Sequence, residues 1–146
     1  MNERAAPAGL CFEELSIGQA AERVSEVTED VIAQFANVSG DRNPVHLDAA
    51  YAATTAFKER IAHGMLSAAY ISAVLGMDLP GPGAIYVSQS LNFLRPVKIG
   101  AQVTARVEVK ALDEKTGRVT FACTCSVGGK KVLDGEAVVI APRKAA

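Results

Sequence analysis

An α+β domain in which a curved antiparallel sheet wraps a long central helix is the fold class this sequence predicts, and three observations predict it. The segment Gly64–Gly76 (Gly-Met-Leu-Ser-Ala-Ala-Tyr-Ile-Ser-Ala-Val-Leu-Gly) carries no charge. It is shorter than the roughly 20 apolar residues of a membrane span, and a helix that is apolar all round must be buried on most sides. From Ile85 onward the apolar pattern switches to period two, the signature of strands that bury one face. The loops Asp113–Gly117 and Gly128-Gly129 are short enough for hairpins, so the strands are antiparallel.

The elements follow in order. Residues 1–11 are small and polar and read as a flexible arm. Ala20–Val27 is a weak strand. Thr28 is placed to cap a helix whose first turn holds Glu29 and Asp30, and Val31, Ile32, Phe35 and Val38 recur at helical spacing until Gly40 closes it. Residues 41–47 read as irregular, held by Pro44, and Asp48 caps a short helix over Ala49–Thr54. After the apolar helix and the turn Leu79–Gly83, one strand face carries Ile85, Val87, Leu91 and Phe93. Val103, Ala105, Val107 and Val109 form the buried face of the next strand, and Val119, Phe121, Cys123, Cys125 and Val127 that of the one after. A last strand runs over Lys131–Ile140 with Gly135 as a bulge candidate. Such a sheet has edges, and pairing one edge with a second copy makes a homodimer the physical expectation.

Composition narrows the function. The 146 residues carry 15 Lys+Arg against 16 Asp+Glu, a net charge of −1, which argues against a nucleic-acid or anionic-membrane surface. The length fits a single domain and the 49% apolar content supplies its core. Three cysteines, an odd number, and an N-terminus without the apolar stretch of a secretory leader point to a reducing, cytoplasmic location.

Two clusters combine catalytic residue types. In Ser39–Asp48, Asp41 and His46 stand five positions apart in a segment that Gly40 and Pro44 keep from regular helix. A carboxylate and an imidazole facing one pocket hold a water between them and move protons both ways; alternatively, Asp41 caps a turn and His46 packs at the surface. In Ile61–Met65, Gly64 opens the apolar helix, where free backbone N–H groups polarise a carbonyl oxygen and the missing side chain permits close approach; alternatively, Gly64 merely eases entry into the helix. Ala68, Ile71, Ser72 and Leu75 share the Gly64 face at three- and four-residue spacing. His46 and His63 are 17 residues apart and the cysteines are remote from both, so no metal-ligand spacing is present. No phosphate-loop or dinucleotide fingerprint occurs.

The segments Asp41-Arg-Asn-Pro-Val-His46, Ala56-Phe57…Ile61-Ala-His63-Gly64-Met-Leu66 and Ser88-Gln-Ser-Leu-Asn-Phe93…Pro96-Val97…Gly100 resemble the MaoC-like hydratase family of the hot-dog fold, within it the short (R)-specific enoyl-CoA hydratases. The resemblance covers about Phe12–Pro142, a single domain followed by a tail of residues 143–146. It implies a homodimer with a continuous sheet and syn hydration of a trans-2-enoyl-CoA thioester to the (R)-3-hydroxyacyl-CoA. It assigns the catalytic pair to Asp41 and His46 and the thioester-carbonyl contact to the Gly64 N–H. It places Ser72 as a supporting polar residue near the catalytic Asp and implies no metal, flavin or nicotinamide cofactor. On this reading Asp41 takes a proton from water and His46 delivers one to C2, and the helix face with Ile71 and Leu75 lines the acyl tunnel. A dehydratase acting on an acyl-carrier-protein thioester and a non-catalytic acyl-binding module are the alternatives.

Overall fold

The computed structural model describes residues 8–145. Its strands are β1 (Ala20–Glu26), β2 (Ile85–Gln89), β3 (Asn92–Phe93), β4 (Gln102–Asp113), β5 (Arg118–Val127) and β6 (Lys130–Ile140). They form one antiparallel sheet in the order β1-β4-β5-β6-β2, with β3 also paired to β6. The helices are α1 (Glu29–Ser39), α2 (Pro44–Leu47), α3 (Ala49–Ala53) and α4 (Gly64–Met77). Helix α4 packs on β4, β5 and β1.

Period-two alternation decides the core. Val103, Ala105, Val107 and Val109 of β4 and Val119, Phe121, Cys123 and Cys125 of β5 are all at most 1% exposed, as the alternation requires. Leu66, Ile71, Val74 and Leu75 of α4 close over them. Full burial of each such branched or aromatic side chain contributes about 1.5–3 kcal/mol. Burial also pushes the thiols up, Cys123 to about 11 and Cys125 to about 12, so both behave as apolar packing groups rather than nucleophiles.

The caps and turns have local causes. Thr28 Oγ1 accepts the Val31 N–H at 3.1 Å, and Gly40 ends α1 at φ +80°. Gly128 and Gly129 both hold positive φ, the requirement of a two-residue hairpin turn between β5 and β6. Of the stretch expected to be irregular, residues 41–43 are so, while residues 44–47 form the single turn α2.

Gly135 is not a bulge. It pairs with Cys123 in unbroken register, and the irregularity between these strands falls at Cys125/Ser126. A Cβ at Gly135 would stand 1.9 Å from the Ser90 carbonyl oxygen, so glycine is required by the close passage of the segment before β3. That segment is fastened there: the Ser90 N–H donates to Glu136 O at 2.8 Å, and the Glu136 N–H donates to Ser90 Oγ at 3.0 Å.

The ends of the chain are less free than their composition suggests. Gly9 and Leu10 donate N–H bonds to Pro82 O and Pro80 O at 3.1 and 2.7 Å. Beyond the domain, the Arg143 guanidinium lies 4.2 Å from the Phe12 ring centroid, and the Lys144 N–H reaches Glu13 at 3.0 Å. Residues 1–7 of the expected arm and Ala146 of the tail lie outside the described residues.

Helix α4 is not enclosed on every side. Met65, Ala69, Ser72 and Gly76, four or three residues apart, form an exposed stripe without a charge. Beside it, the edge strand β2 exposes Ile85, Tyr86 and Val87. No helix among the described residues is long and apolar enough to cross a membrane.

Gly135→Ala forces a methyl group against a backbone carbonyl that its own hydrogen bonds hold in place. Overpacking costs about 1–3 kcal/mol even where neighbours can shift, and urea denaturation of this variant is expected to show a loss at or above that range.

Candidate active site

Asp41 and His46 are brought together by one helical turn. Asn43 caps α2 by accepting the Val45 N–H on its side-chain oxygen at 3.1 Å, and Pro44 fills the first helical position, where its missing N–H costs nothing. Asp41 precedes the cap and accepts the Asn43 N–H on Oδ1 at 3.2 Å, leaving Oδ2 to face the imidazole. His46, in the last part of the turn, is buried. Its Nδ1 lies 2.7 Å from the Ile61 carbonyl oxygen, which can only accept, so Nδ1 carries the hydrogen and, in the neutral ring, Nε2 presents a lone pair. Asp41 Oδ2 and His46 Nε2 are 4.0 Å apart. This is too far for a direct hydrogen bond but right for one water about 2.8 Å from each. Arg60 steadies the turn by donating from Nε to His46 O at 2.8 Å while its Nη1 pairs with Glu29 at 2.6 Å.

The second cluster meets the first across a cavity of about 520 Å³ lined by Asp41, Phe57, His63, Gly64, Phe93 and Arg95 among others. This volume is in the range of small-molecule sites. The His46 ring stacks on that of His63, a lining residue, at 3.8 Å between centroids, and its Nε2 is the atom that faces Asp41 Oδ2. Gly64 is the first residue of α4, and its N–H has no partner among the described residues. A Cβ at Gly64 would come within 2.7 Å of the Phe93 ring, so only glycine lets that ring lie across the helix entrance. An acceptor oxygen entering the cavity thus meets an unsatisfied N–H at the positive end of a helix.

Other sequence-predicted residues fall elsewhere. Ser72 lines a separate cavity of about 570 Å³ with Phe35, Met65, Tyr86 and Val87, not the cavity that holds Asp41. It lies on the exposed stripe because α4 turns its 65-69-72-76 face away from the sheet. Ile71 and Leu75 are 0% and 2% exposed and line neither cavity. They do share the Gly64 face, and beyond the first turn both side chains pack into the core of this chain.

The fold also assembles what spacing did not reveal. Asp41, His46 and His63 each place one donor atom within 4.8 Å of the others, although the histidines are 17 positions apart. Zinc bonds of about 2.0 Å set tetrahedral ligand atoms only about 3.3 Å apart, so this cluster is wider than a formed metal cage. His63 is the residue that sequence reasoning passed over; its place between Ala62 and Gly64 at a helix entrance was the available signal. The contacts of Phe93 with Gly64 and of Arg60 with His46 O were likewise not given by spacing, since nothing local marks which ring or cation folds onto a distant segment.

A central helix packed on a six-stranded antiparallel sheet, with its N-terminus open to the cavity, is the hot-dog class of domain. Residues 14–130 match the MaoC like domain, and the chain belongs to that family. It is 54% identical over 133 residues to an (R)-specific enoyl-CoA hydratase of Rhodospirillum rubrum, covering 91% of this chain and 92% of the relative. Among solved structures it is similar to the unliganded R-hydratase PhaJ1 of Pseudomonas aeruginosa (TM-score 0.88, 52% identity, 93% of this chain and 88% of that one). It is also similar to an (R)-hydratase of A. caviae involved in PHA biosynthesis (TM-score 0.86, 46% identity, 89% and 99%).

Burial of Leu75 in the core has a direct consequence. Leu75→Ala is expected to lower stability by about 2–5 kcal/mol in urea denaturation, with the ratio of long-chain to short-chain enoyl-thioester turnover unchanged.

Proposed function

We propose that the protein is an (R)-specific enoyl-CoA hydratase that adds water to trans-2-enoyl-CoA and yields (R)-3-hydroxyacyl-CoA. The observation that carries this reading is the 4.0 Å gap between Asp41 Oδ2 and His46 Nε2, which has room for one bridging water beside a helix N-terminus whose first N–H has no partner among the described residues. The 54% identity to a hydratase of that name supports the CoA thioester over a carrier-protein thioester. A module that only holds an acyl group has no use for a carboxylate and an imidazole set apart by one water.

The chemistry follows from which atoms can accept. With Nδ1–H tied to Ile61 O, His46 Nε2 is the free base of the neutral ring, and Asp41 Oδ2 orients the same water. This reverses the division of labour that the motif suggested, with His46 rather than Asp41 receiving the first proton. The thioester oxygen accepts the Gly64 N–H, which draws electron density from C3. The water oxygen bonds to C3, its proton passes to Nε2, and the π electrons move towards the thioester oxygen as an enolate. A proton returns from the pair to C2 as the enolate collapses. Both new bonds form on the face where the pair stands, which is syn addition. One donor to an oxyanion is worth about 10²–10³-fold in rate. The scheme balances without a metal, flavin or nicotinamide.

We further place the protein in solution as a homodimer joined at β2. The support is an exposed edge strand with Ile85, Tyr86 and Val87 next to the charge-free stripe of α4. A second copy continuing the sheet would cover both, as well as the cavity that holds Ser72. Three free cysteines, two of them buried, support action in the reducing cytoplasm. The A. caviae relative supports a role in supplying (R)-3-hydroxyacyl units for polyester synthesis.

Asp41→Asn keeps the acceptor for Asn43 but not the carboxylate charge; His46→Asn keeps a donor for Ile61 O but lacks Nε2. Each is expected to lower crotonyl-CoA hydration about 10²–10⁴-fold, the usual cost of losing a proton-transfer group, with circular dichroism unchanged. Near-normal turnover in either variant overturns the assignment. Light scattering is expected to give about twice the 15.3 kDa chain mass, and Val87→Asp to shift the protein to monomer; a wild-type monomer removes the β2 interface.

A further inference from the structure

We propose that His63 is the positioning residue of the Asp41–His46 pair, fixing both the place of the Asp41 main chain and the face of the His46 ring; this rests on the reading of that pair as the proton-transferring groups. The chain has only two histidines, and the fold stacks them at 3.8 Å with ring planes 28° apart. His63 also meets Phe35 of α1, tilted at 4.9 Å between ring centroids. His63 is 2% exposed, so the stack leaves its ring no freedom to turn towards solvent.

The polar contacts of this ring are informative. His63 Nε2 lies 2.8 Å from the main-chain oxygen of Asp41, 22 positions earlier, and must carry the hydrogen because a carbonyl only accepts. Its Nδ1 is buried and has no hydrogen-bond partner among the described residues. A ring nitrogen left buried and unpaired carries a desolvation cost, one that a leucine or phenylalanine in the same space would avoid. The imidazole makes one polar contact, and that contact goes to the residue that bears the carboxylate.

Asp41 needs such a tether. Its side chain is about half exposed, and its other bonds, to Ser39 Oγ at 3.1 Å and from the Asn43 N–H at 3.2 Å, are to its own neighbours in sequence. The bond from His63 joins this loop to the rest of the fold. Since His63 also immediately precedes Gly64, one residue couples the carboxylate, the imidazole and the N–H that receives the thioester oxygen. Placing reacting groups wrongly by about 1 Å costs on the order of 10²-fold in rate.

With only two histidines in an untagged chain, ¹⁵N-histidine NMR at mildly alkaline pH reads both tautomers directly, with His46→Asn assigning the signals. The expected result is Nδ1–H for His46 and Nε2–H for His63; an Nδ1–H tautomer at His63 overturns the proposal whatever the activity. Kinetics test the consequence. His63→Phe keeps a stacked ring but loses the donor, and kcat is expected to fall about 10–100-fold with KM within about twofold. His63→Gln places an amide N–H near the position of Nε2 and is expected to restore most of kcat. Wild-type kcat in His63→Phe, a loss confined to KM, or a Gln variant as impaired as Phe overturns the proposal. If His63→Phe does not fold, the wild-type tautomers and the Gln variant decide. Should Asp41→Asn and His46→Asn retain activity, the pair itself is wrong, an outcome that leaves the tautomer result separately readable.

Discussion

The packing of a charge-free helix onto a face of β-branched side chains is the constraint on which the rest of this protein depends. Fourteen residues of α4 without a single formal charge cannot remain in water, and β4 and β5 each offer four successive inward-facing positions at most 1% exposed to receive them. Once the helix is seated, its ends are fixed relative to the sheet. The N-terminal end then projects past the packed core, which is why Gly64 is exposed while Ile71 and Leu75, on the same helical face, are not.

A site follows from that geometry. The free N–H of the first helical residue is a consequence of helix architecture, and it faces a cavity because the core stops there. The motif residues are delivered to this end by a self-contained device, a glycine stop, an asparagine cap and a proline-led single turn. Two backbone carbonyls, those of Ile61 and Asp41, then choose which nitrogen of each imidazole holds its hydrogen. The proton chemistry is thereby set by main-chain atoms, which do not titrate.

Glycine appears at two close approaches for different ends. At Gly135 the absent side chain admits a backbone carbonyl and lets the segment before β3 cross β6. At Gly64 it admits an aromatic ring that forms part of the cavity wall. In both cases the crowding partner is more than 25 residues away in the chain, Ser90 for one and Phe93 for the other.

What was legible in the sequence is what depends on neighbours in the chain. The caps Thr28 and Asp48, the glycine turn between β5 and β6, and the alternation of β4 and β5 are all local, governed by hydrogen bonds or periodicities within a few residues; the Asn43-capped turn is local too, yet it read as irregular because Gly40 and Pro44 interrupt the helical pattern. Helical spacing also correctly placed Ile71, Leu75 and Gly64 on one face, but it carries no information about what that face meets, so core and ligand wall look alike. Only the tertiary structure decided that Ser72 belongs to the outer stripe, that Gly135 yields to Ser90, and that His63 reaches the carbonyl of Asp41. Those outcomes turn on contacts between segments that are independent in sequence, and their distances are set by how helix and sheet pack rather than by any residue's own preference.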